Sequence, residues 1–313
     1  MLNLECTNCG KEAVYEAKYN GTALCRAHFT ESVEHRVKQE LRAQIDLSNG
    51  KTDIAVAVSG GKDSSVTLHL VKKILGNRRD LNIWAFTVDE GIEGYRNSGL
   101  ASAAELCRNL GIPHRIISNR DIFGVTLDEM VKNRPETIPC SMCGPMRRQL
   151  MDRITRVNGA DYVALGINLD DYAQSIMMNV ARGDVDRMLR MAPHTRRKVE
   201  GMTPRILPLR RVYEKEVLLY AILNGVKFDS SWCPYYERAQ RNTFREILTK
   251  LEERTPGVEF AIANFGEQVR NLAPASGTIG VEQPNHCKIC GAVSSGEICS
   301  VCLGLNRNVE ADR

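Results

Sequence analysis

The chain of 313 residues is 43% hydrophobic and 26% charged, with a formal net charge of +4. This composition is that of an ordinary globular protein, and the length suggests one large domain with appendages or two domains. The longest apolar runs are far too short to span a bilayer, and the first ten residues lack the basic start and apolar core of a signal peptide. We therefore expect a cytoplasmic protein without a membrane partner.

Eleven cysteines are many for a reducing compartment, where disulfides are rare and close cysteine pairs indicate metal binding or redox chemistry. The first pairs, in residues 1–30, are formed by Cys6, Cys9, Cys25 and His28. Each pair can place two soft ligands on one side of a tetrahedral ion, so we predict a structural zinc finger. Residues 31–50 are predicted to be a connecting helix, because apolar residues recur at every fourth position from Val33 to Ile45.

From residue 51 onward, apolar strands alternate with amphipathic helices. Strands are predicted over 53–58, 81–89, 113–118 and 160–167, and helices over 64–75, 98–111 and 169–182. This alternation favours a parallel sheet that is covered on both faces by helices. We therefore predict an α/β catalytic domain with a Rossmann-like parallel sheet over residues 51–211.

The first predicted strand leads into the turn SGGKDS, residues 59–64, which then opens a helix. Gly60 and Gly61 would let a ligand approach the backbone, while Lys62 and the helix N-terminus supply positive charge and hydrogen-bond donors. The longer Walker loop and the Rossmann G-x-G-x-x-G fingerprint are both absent. A plain tight turn would not require these donors, so the turn predicts a phosphate-binding loop.

A second polar motif, LGINLDDYAQS, spans residues 165–175 at the end of the fourth predicted strand. Gly166 would permit close approach to a nucleotide, and Asp170 and Asp171 could hold Mg²⁺ or orient a reacting group. Helix N-capping is the alternative for the aspartates, and for Asp170 the two roles are equally favoured. Because ligands bind at the carboxyl ends of parallel strands, we expect the two motifs to converge.

Beyond residue 211 the pattern becomes helical. Helices are predicted over 214–225 and 241–254 in an extension, residues 212–270, that carries Cys233. Residues 271–313 combine a Gly-, Pro- and Ser-rich linker over 271–285 with a second cysteine module. Its paired ligands, which predict a second structural zinc finger, are Cys287, Cys290, Cys299 and Cys302.

Four cysteines lie outside these modules. Cys107 falls on the predicted helix 98–111 and is expected to pack in the core, whereas Cys140 and Cys143 form a C-x-x-C pair and Cys233 follows ninety residues later. The last three could carry persulfide or cycle through a disulfide, could bind an iron–sulfur cluster with one iron left open, or could be structural. Three thiolates do not complete a usual zinc site, and spacing alone does not choose between the first two possibilities.

A basic stretch, residues 182–215, contains ten Lys or Arg residues and four acidic residues. Such a segment attracts a phosphate backbone, although a solvated charged surface has the same composition. Nucleic acid is therefore one candidate partner.

The chain resembles the tRNA 2-thiouridine synthetases, a family of PP-loop ATP-pyrophosphatases, along nearly its whole length. The resemblance rests on the order of the motifs: the N-terminal zinc module, SGGKDS, C-x-x-C-G-x-x-R-R, G-x-N-x-D-D-x-A-Q and the final C-x-x-C modules. The stretches CSMCGPMRRQL, NVARGDVDRM and TPRILPLRRVYEKEVLLYA are similar to the branch that thiolates the wobble uridine, position 34. The sister branch thiolates position 54 and tends to have a lysine where this chain has Arg147, which favours the wobble branch.

The resemblance implies an enzyme that adenylates the C2 oxygen of a tRNA uridine and then replaces that oxygen with sulfur. It implies a site for ATP and Mg²⁺ formed by Val58, Ser59, Gly60, Gly61, Lys62, Asp63, Ser64, Val88, Gly166 and Asp171. It also implies a 4Fe–4S cluster on Cys140, Cys143 and Cys233, with Arg147 in the reaction centre. Sulfur would come from a ubiquitin-like thiocarboxylate protein or from inorganic sulfide, and a homodimer is a plausible assembly.

Contacts with tRNA phosphates are expected from Arg147, Arg148, Arg182, Arg187 and residues 196–198. Two alternatives within the family stay open: thiolation of position 54, and persulfide-based sulfur transfer without a cluster. A different class, a non-catalytic zinc-containing RNA-binding protein, would need neither the complete loop donors nor the three spare cysteines. An ATP-pyrophosphatase that amidates a small carbonyl substrate would need an ammonia source domain, and the sequence has no candidate for one.

Overall fold

A five-stranded parallel sheet lies at the centre of the computed structural model, which describes residues 4–48, 50–194, 200–236, 241–272 and 285–306. Small cysteine-containing modules lie at both ends of the chain. In chain order, the elements are β1 (Tyr15–Ala17), β2 (Thr22–Leu24), α1 (Arg26–Gln44), β3 (Thr52–Ala57), α2 (Lys62–Leu75), β4 (Leu81–Asp89), α3 (Arg96–Leu110), β5 (His114–Ser118), α4 (Asn119–Phe123), α5 (Leu127–Asn133), α6 (Pro139–Val157), β6 (Tyr162–Ala164), α7 (Leu169–Ala181), α8 (Val185–Leu189), β7 (Arg205–Ile206), α9 (Glu214–Asn224), α10 (Arg241–Arg254), α11 (Val258–Leu272), β8 (Asn285–His286), β9 (Val293–Ser294) and α12 (Ser300–Gly304).

The parallel strands lie in the order β5–β4–β3–β6–β7, which confirms the predicted sheet and adds one strand, β7. That strand is only two residues long, too short to produce a periodic pattern. From β3 the chain proceeds outward to β4 and β5, and it then returns to place β6 on the other side of β3. The carboxyl ends of β3 and β6 therefore form a topological switch point, where such sheets bind ligands.

Both faces of the sheet are covered, because alternate strand residues point to opposite sides. On one face, Ile54 and Val56 pack with residues of α1, α2, α3 and α9 in the largest apolar cluster. On the other face, Trp84 and Phe86 pack against α6. Cys107 belongs to the first cluster and is almost fully buried, which confirms its predicted place in the core.

Several helices differ from the predicted pattern. The C-x-x-C pair lies within the first five residues of α6, a helix concealed in the sequence by Pro145 in its interior. The connecting helix α1 begins at Arg26, so its first turn carries the last ligand of the N-terminal module. Helix α11 continues to Leu272, so the first two residues of the predicted linker are helical, and residues 273–284 lie outside the described part.

The terminal modules have antiparallel hairpins of their own, β1–β2 and β8–β9. The C-terminal module packs against the first half of α6, where Met142 and Met146 share an apolar cluster with Cys287 and Cys302. No described helix has both the length and the apolar character that crossing a membrane requires.

Candidate active site at the carboxyl edge of the sheet

The turn SGGKDS joins β3 to α2 at the switch point, and its shape is fixed from several sides. Gly60 has a φ of +89°, and a Cβ added to it would lie 2.1 Å from the carbonyl oxygen of Gly99. Within the turn, the Ser64 hydroxyl accepts from the Ser59 N–H at 3.1 Å and donates to the Gly61 carbonyl at 2.9 Å. The turn is therefore preorganised, and the first-turn N–H groups of α2 form a binding site suited to an anion.

Val58 and Val88, both predicted to bind nucleotide, are buried residues whose main chain is engaged by neighbours. The Val58 N–H donates to the Phe86 carbonyl at 2.8 Å, and the Val58 carbonyl accepts from the Thr87 hydroxyl at 2.6 Å. The Val88 carbonyl accepts from the Arg96 guanidinium at 2.6 Å. Val58 thus connects the end of β3 to β4 where the loop begins, and Val88 connects β4 to Arg96.

Lys62 lies among acidic side chains at the start of α2. Its ammonium group is 2.9 Å from the Asp63 carboxylate and 3.3 Å from that of Glu214. Asp63 also accepts a hydrogen bond from the amide of Asn168, the residue that caps α7. Glu214 begins α9 in the C-terminal extension, and no sequence motif marked it as part of this site.

The two aspartates of the LDD motif have different environments. Asp170 accepts a hydrogen bond from the Glu214 N–H at 2.7 Å, so it caps α9, and burial raises its pKa to about 6. Asp171 lies 3.0 Å from the guanidinium of Arg241. Burial also raises the pKa of Asp171, while the positive charge of Arg241 opposes that rise. Asp170 therefore has a structural partner, and Asp171 is the aspartate paired with a movable side chain.

Gly166 lies directly against the phosphate loop. A Cβ added at this position would be 2.8 Å from both the carbonyl carbon of Asp63 and the N atom of Ser64. No L side chain fits at such distances without a shift of the loop backbone. We predicted that Gly166 would let a nucleotide approach closely. In the structure, the group that lies close to Gly166 is the backbone of the phosphate loop.

Three of the four cysteines outside the terminal modules, Cys140, Cys143 and Cys233, lie at the same edge of the sheet as the loop. Cys140 and Cys143 stand at the start of α6, and Cys143 and Cys233 pack around one apolar cluster. The Asp229 N–H donates to the Gly60 carbonyl at 2.8 Å, so the segment that leads to Cys233 is attached to the phosphate loop. Within the described residues, the three sulfur atoms do not all lie within 4.8 Å of one another.

Two charged groups, Arg147 and Glu90, accompany the cysteines. Their side chains are 3.9 Å apart, and Glu90 directly follows β4. Burial raises the pKa of the Cys143 thiol to about 11, although the charge of Arg147 opposes the rise, and burial also raises the pKa of Cys233. Binding of a metal centre would therefore displace protons from these thiols.

A buried ion pair connects the phosphate loop to the surroundings of Arg147 and the cysteines. No sequence motif indicated this pair. The Arg96 guanidinium lies 2.8 Å from the Glu90 carboxylate, and it also donates to the Ser59 carbonyl at 3.2 Å. One side chain thus contacts the phosphate loop and the acid beside Arg147. The loop is thus connected, through Arg96 and Glu90, to the arginine beside the cysteines.

Each terminal module brings four donor atoms within 4.8 Å of one another. In the first, the Cys6 sulfur lies 3.3 Å from the His28 ring nitrogen. In the second, the Cys299 N–H donates to the Cys287 sulfur at 3.3 Å, an interaction that stabilises a thiolate. Closed sets of four soft donors fit a tetrahedral metal ion.

The arginines predicted to contact RNA lie on the surface near α6 and α8. Arg147, Arg148, Arg182 and Arg187 are all exposed, and Arg187 pairs with Asp184 at 3.4 Å. Residues 196–198 lie outside the described residues.

Comparison with known proteins assigns these features to one family. Residues 29–252 match the PP-loop domain family, and residues 5–30 match the N-terminal LIM domain of the 2-thiouridine synthetase TtuA. The tRNA 2-thiolation protein NcsA of Haloferax volcanii is 36% identical over 98% of this chain and 100% of its own length. The cytoplasmic tRNA 2-thiolation protein 1 of Danio rerio is 35% identical over 98% of this chain and 90% of its own.

One solved structure has nearly the same fold along the whole chain. It is the U34-tRNA thiolase NcsA from Methanococcus maripaludis with its [4Fe-4S] cluster, which is 33% identical. The two structures superpose with a TM-score of 0.82 over 97% of this chain and 96% of that one. The phosphate loop, the sheet order and these relatives together show that this chain belongs to the PP-loop family of tRNA 2-thiolation proteins.

Proposed function

We propose that this chain is an ATP-dependent tRNA uridine 2-sulfurtransferase that acts at wobble position 34. The proposal rests on one observation: the phosphate loop and the cysteines at positions 140, 143 and 233 lie at the same edge of the sheet. They are connected by Arg96, Glu90 and the hydrogen bond between Asp229 and Gly60. The names of the relatives support thiolation, and the likeness to the cluster-containing U34-tRNA thiolase of Methanococcus maripaludis supports position 34 and a cluster.

In the proposed reaction, the uridine O2 atom attacks the α-phosphorus of ATP, and the bond from that phosphorus to the oxygen of the leaving pyrophosphate breaks. Negative charge grows on pyrophosphate as it departs, and Lys62 and the first-turn N–H groups of α2 are positioned to stabilise it. A sulfur nucleophile then attacks C2 of the base. The C2–O bond breaks, and AMP leaves with the oxygen.

The cofactors of this reaction have matching residues. We propose that Asp171 holds or orients Mg²⁺ on the phosphates, which requires Arg241 to move from its present position at 3.0 Å. We assign structural Zn²⁺ to both terminal modules and a 4Fe–4S cluster to Cys140, Cys143 and Cys233. A cluster with three protein thiolates leaves one iron able to bind external sulfur. Arg147 is positioned to orient a reacting group beside Cys143.

The remaining parts of the proposal concern the source of the sulfur, the oligomeric state and the division of the chain into modules. We propose a ubiquitin-like thiocarboxylate protein or inorganic sulfide as the sulfur donor, and a homodimer as the assembly. We also propose the division into modules at residues 1–30, 31–50, 51–211, 212–270 and 271–313. The helix boundary at residue 26 places one metal ligand of the first module on the connecting helix, so these two parts would fold together.

Mass spectrometry of tRNA nucleosides tests the function directly. A deletion strain should lack 2-thiouridine, and the chain should restore it at position 34, whereas Asp171→Asn should restore little. The matched control Asp186→Asn changes an exposed aspartate on α8 and should restore normal levels. Restoration at position 54 would assign the sister activity. Tight tRNA binding with neither thiolation nor tRNA-dependent pyrophosphate release would favour the RNA-binding alternative.

A further inference from the structure

A cavity of about 1150 Å³ lies between α6 and the C-terminal cysteine module. One wall is a single face of α6 from Pro145 to Val157, where the lining residues recur at helical spacing. The opposite wall is formed by residues 290–303 of the module, and the floor by residues 189–194 and 201–205. The phosphate loop does not contribute to this cleft, so it is a second site.

The cleft is strongly basic. The residues that line it include one acid, Asp152, and six arginines: Arg148, Arg153, Arg156, Arg190, Arg205 and Arg270. Asp152 is already paired with Arg205 at 3.2 Å. The positive charge therefore greatly exceeds the negative charge, and a polyanion would be attracted to it.

Three of these arginines have no partner within the described part of the chain. The guanidinium groups of Arg148, Arg153 and Arg156 make no hydrogen bond or ion pair there. Arginines that greatly outnumber the nearby acids are typical of a surface that binds phosphate groups.

The size and lining of the cleft favour a polymer over a metabolite. A volume of about 1150 Å³ exceeds the roughly 300–1,000 Å³ of ordinary small-molecule pockets. Phe123, Met191 and Ile298 supply apolar surface among the arginines. Positive groups that follow a backbone, together with apolar surface that accepts bases, are the elements of single-stranded nucleic acid sites.

The cleft runs along the helix that begins with the C-x-x-C pair, on a face of that helix that does not include the two cysteines. Helix α6 begins with the C-x-x-C pair, and Arg148 and Arg156 follow on the same helix. At a rise of about 1.5 Å per residue, Arg156 stands roughly 24 Å along the axis from Cys140, a span of a few nucleotides. A strand bound along α6 would have to pass around the start of the helix to bring a base to the cysteines.

We propose that this cleft binds the phosphate backbone of the single-stranded RNA that flanks the target uridine, with α6 and the C-terminal cysteine module as its two walls. The inference rests on the proposed function, since it names the surface that presents the tRNA. It gives the C-terminal module a second purpose beside its metal site. Its metal ligands Cys290, Cys299 and Cys302 line the cleft, so metal binding would fix that wall.

The test uses full-length, metal-loaded protein with the double substitution Arg153→Gln and Arg156→Gln. The matched control, Arg79→Gln and Arg108→Gln, removes two exposed arginines that follow α2 and end α3, on the face of the sheet opposite to α6. Affinity for unmodified tRNA is measured by fluorescence anisotropy at several salt concentrations, and ATP affinity is measured in parallel. The cleft variant should bind tRNA about tenfold more weakly, with a salt slope lower by about two, and ATP affinity should be unchanged.

Equal tRNA affinity and salt slope in the two double variants would overturn the proposal. Unchanged tRNA binding with weakened binding of a thiocarboxylate sulfur-carrier protein would also overturn it, because an acidic protein would then occupy the cleft. The proposed reaction is judged separately. A chain that never thiolates tRNA, but loses tRNA affinity only in the cleft variant, would retain the cleft assignment and lose the catalytic one.

Discussion

The guanidinium of Arg96 lies 2.8 Å from the carboxylate of Glu90, and both side chains are more than nine-tenths buried. Arg96 also donates to main-chain carbonyls of Ser59 and Val88, at 3.2 and 2.6 Å. Glu90 in turn faces Arg147, beside the cysteines. One buried pair therefore sets the position of the phosphate loop relative to the sulfur chemistry.

Arg96→Gln should cost about 3 kcal/mol of stability, because it leaves the buried Glu90 carboxylate with only the more distant Arg147 guanidinium, at 3.9 Å. It should also weaken ATP binding, since the Ser59 carbonyl loses a donor. The control is Arg120→Gln, whose partner Glu129 is 45% exposed while Arg120 itself is 55% exposed. That pair should be worth no more than about 1 kcal/mol. Urea denaturation of both variants measures the difference, and equal losses would show that the buried pair has no special role.

Gly166→Ala should reduce ATP affinity and tRNA-dependent pyrophosphate release by about tenfold or more, since a misplaced catalytic loop is costly. The added methyl group would meet loop backbone atoms at 2.8 Å, and backbone cannot rotate away as a side chain can. Gly304→Ala is the control, because its nearest neighbour, a side-chain atom of Met130, would be 3.6 Å away. Titration with ATP compares the two. Normal turnover in Gly166→Ala would mean that the loop tolerates displacement.

Cys233→Ala should abolish the broad visible absorbance expected of anaerobically reconstituted protein, because the cluster would lose one of its three thiolates. Cys107→Ala removes a thiol that is buried in the core and should leave the absorbance unchanged. Iron content is measured alongside the spectra. A protein that holds no iron after reconstitution yet still thiolates tRNA would establish persulfide chemistry instead.

His194→Gln should make stability less dependent on pH between about 4 and 6.5. Burial, with the nearby charge of Arg205, lowers the pKa of His194 to about 4. Between that value and the ordinary histidine pKa of about 6.5, the unfolded state binds more protons than the folded state, so stability falls as pH decreases. The variant should lose this pH dependence, which corresponds to a difference of less than one bound proton between the folded and unfolded states. Urea midpoints across the range provide the measurement, and parallel curves would contradict it.

Much of the active site was predictable because its signals are local. The phosphate loop, the LDD motif and the two terminal ligand sets each lie within a few residues or in close pairs, and strand periodicity alone placed four of the five strands. Close ligand pairs are recognisable in the sequence because structural metal sites typically take their ligands from neighbouring residues. Helix α6 escaped detection because Pro145 interrupts its pattern, and β7 because it has only two residues.

The sequence by itself thus determined which chemical groups the protein possesses: a phosphate loop, two sets of four side chains that could hold a metal ion, and the cysteines at 140, 143 and 233. Only the tertiary structure decided which of them meet. Cys233, Glu214 and Arg96 reach the site from segments far apart in the chain, through contacts with the loop and with β4. The basic cleft likewise exists only because the C-terminal module packs on α6. Proximity of this kind depends on strand order and on the path of the chain, which leave no periodic trace in the sequence.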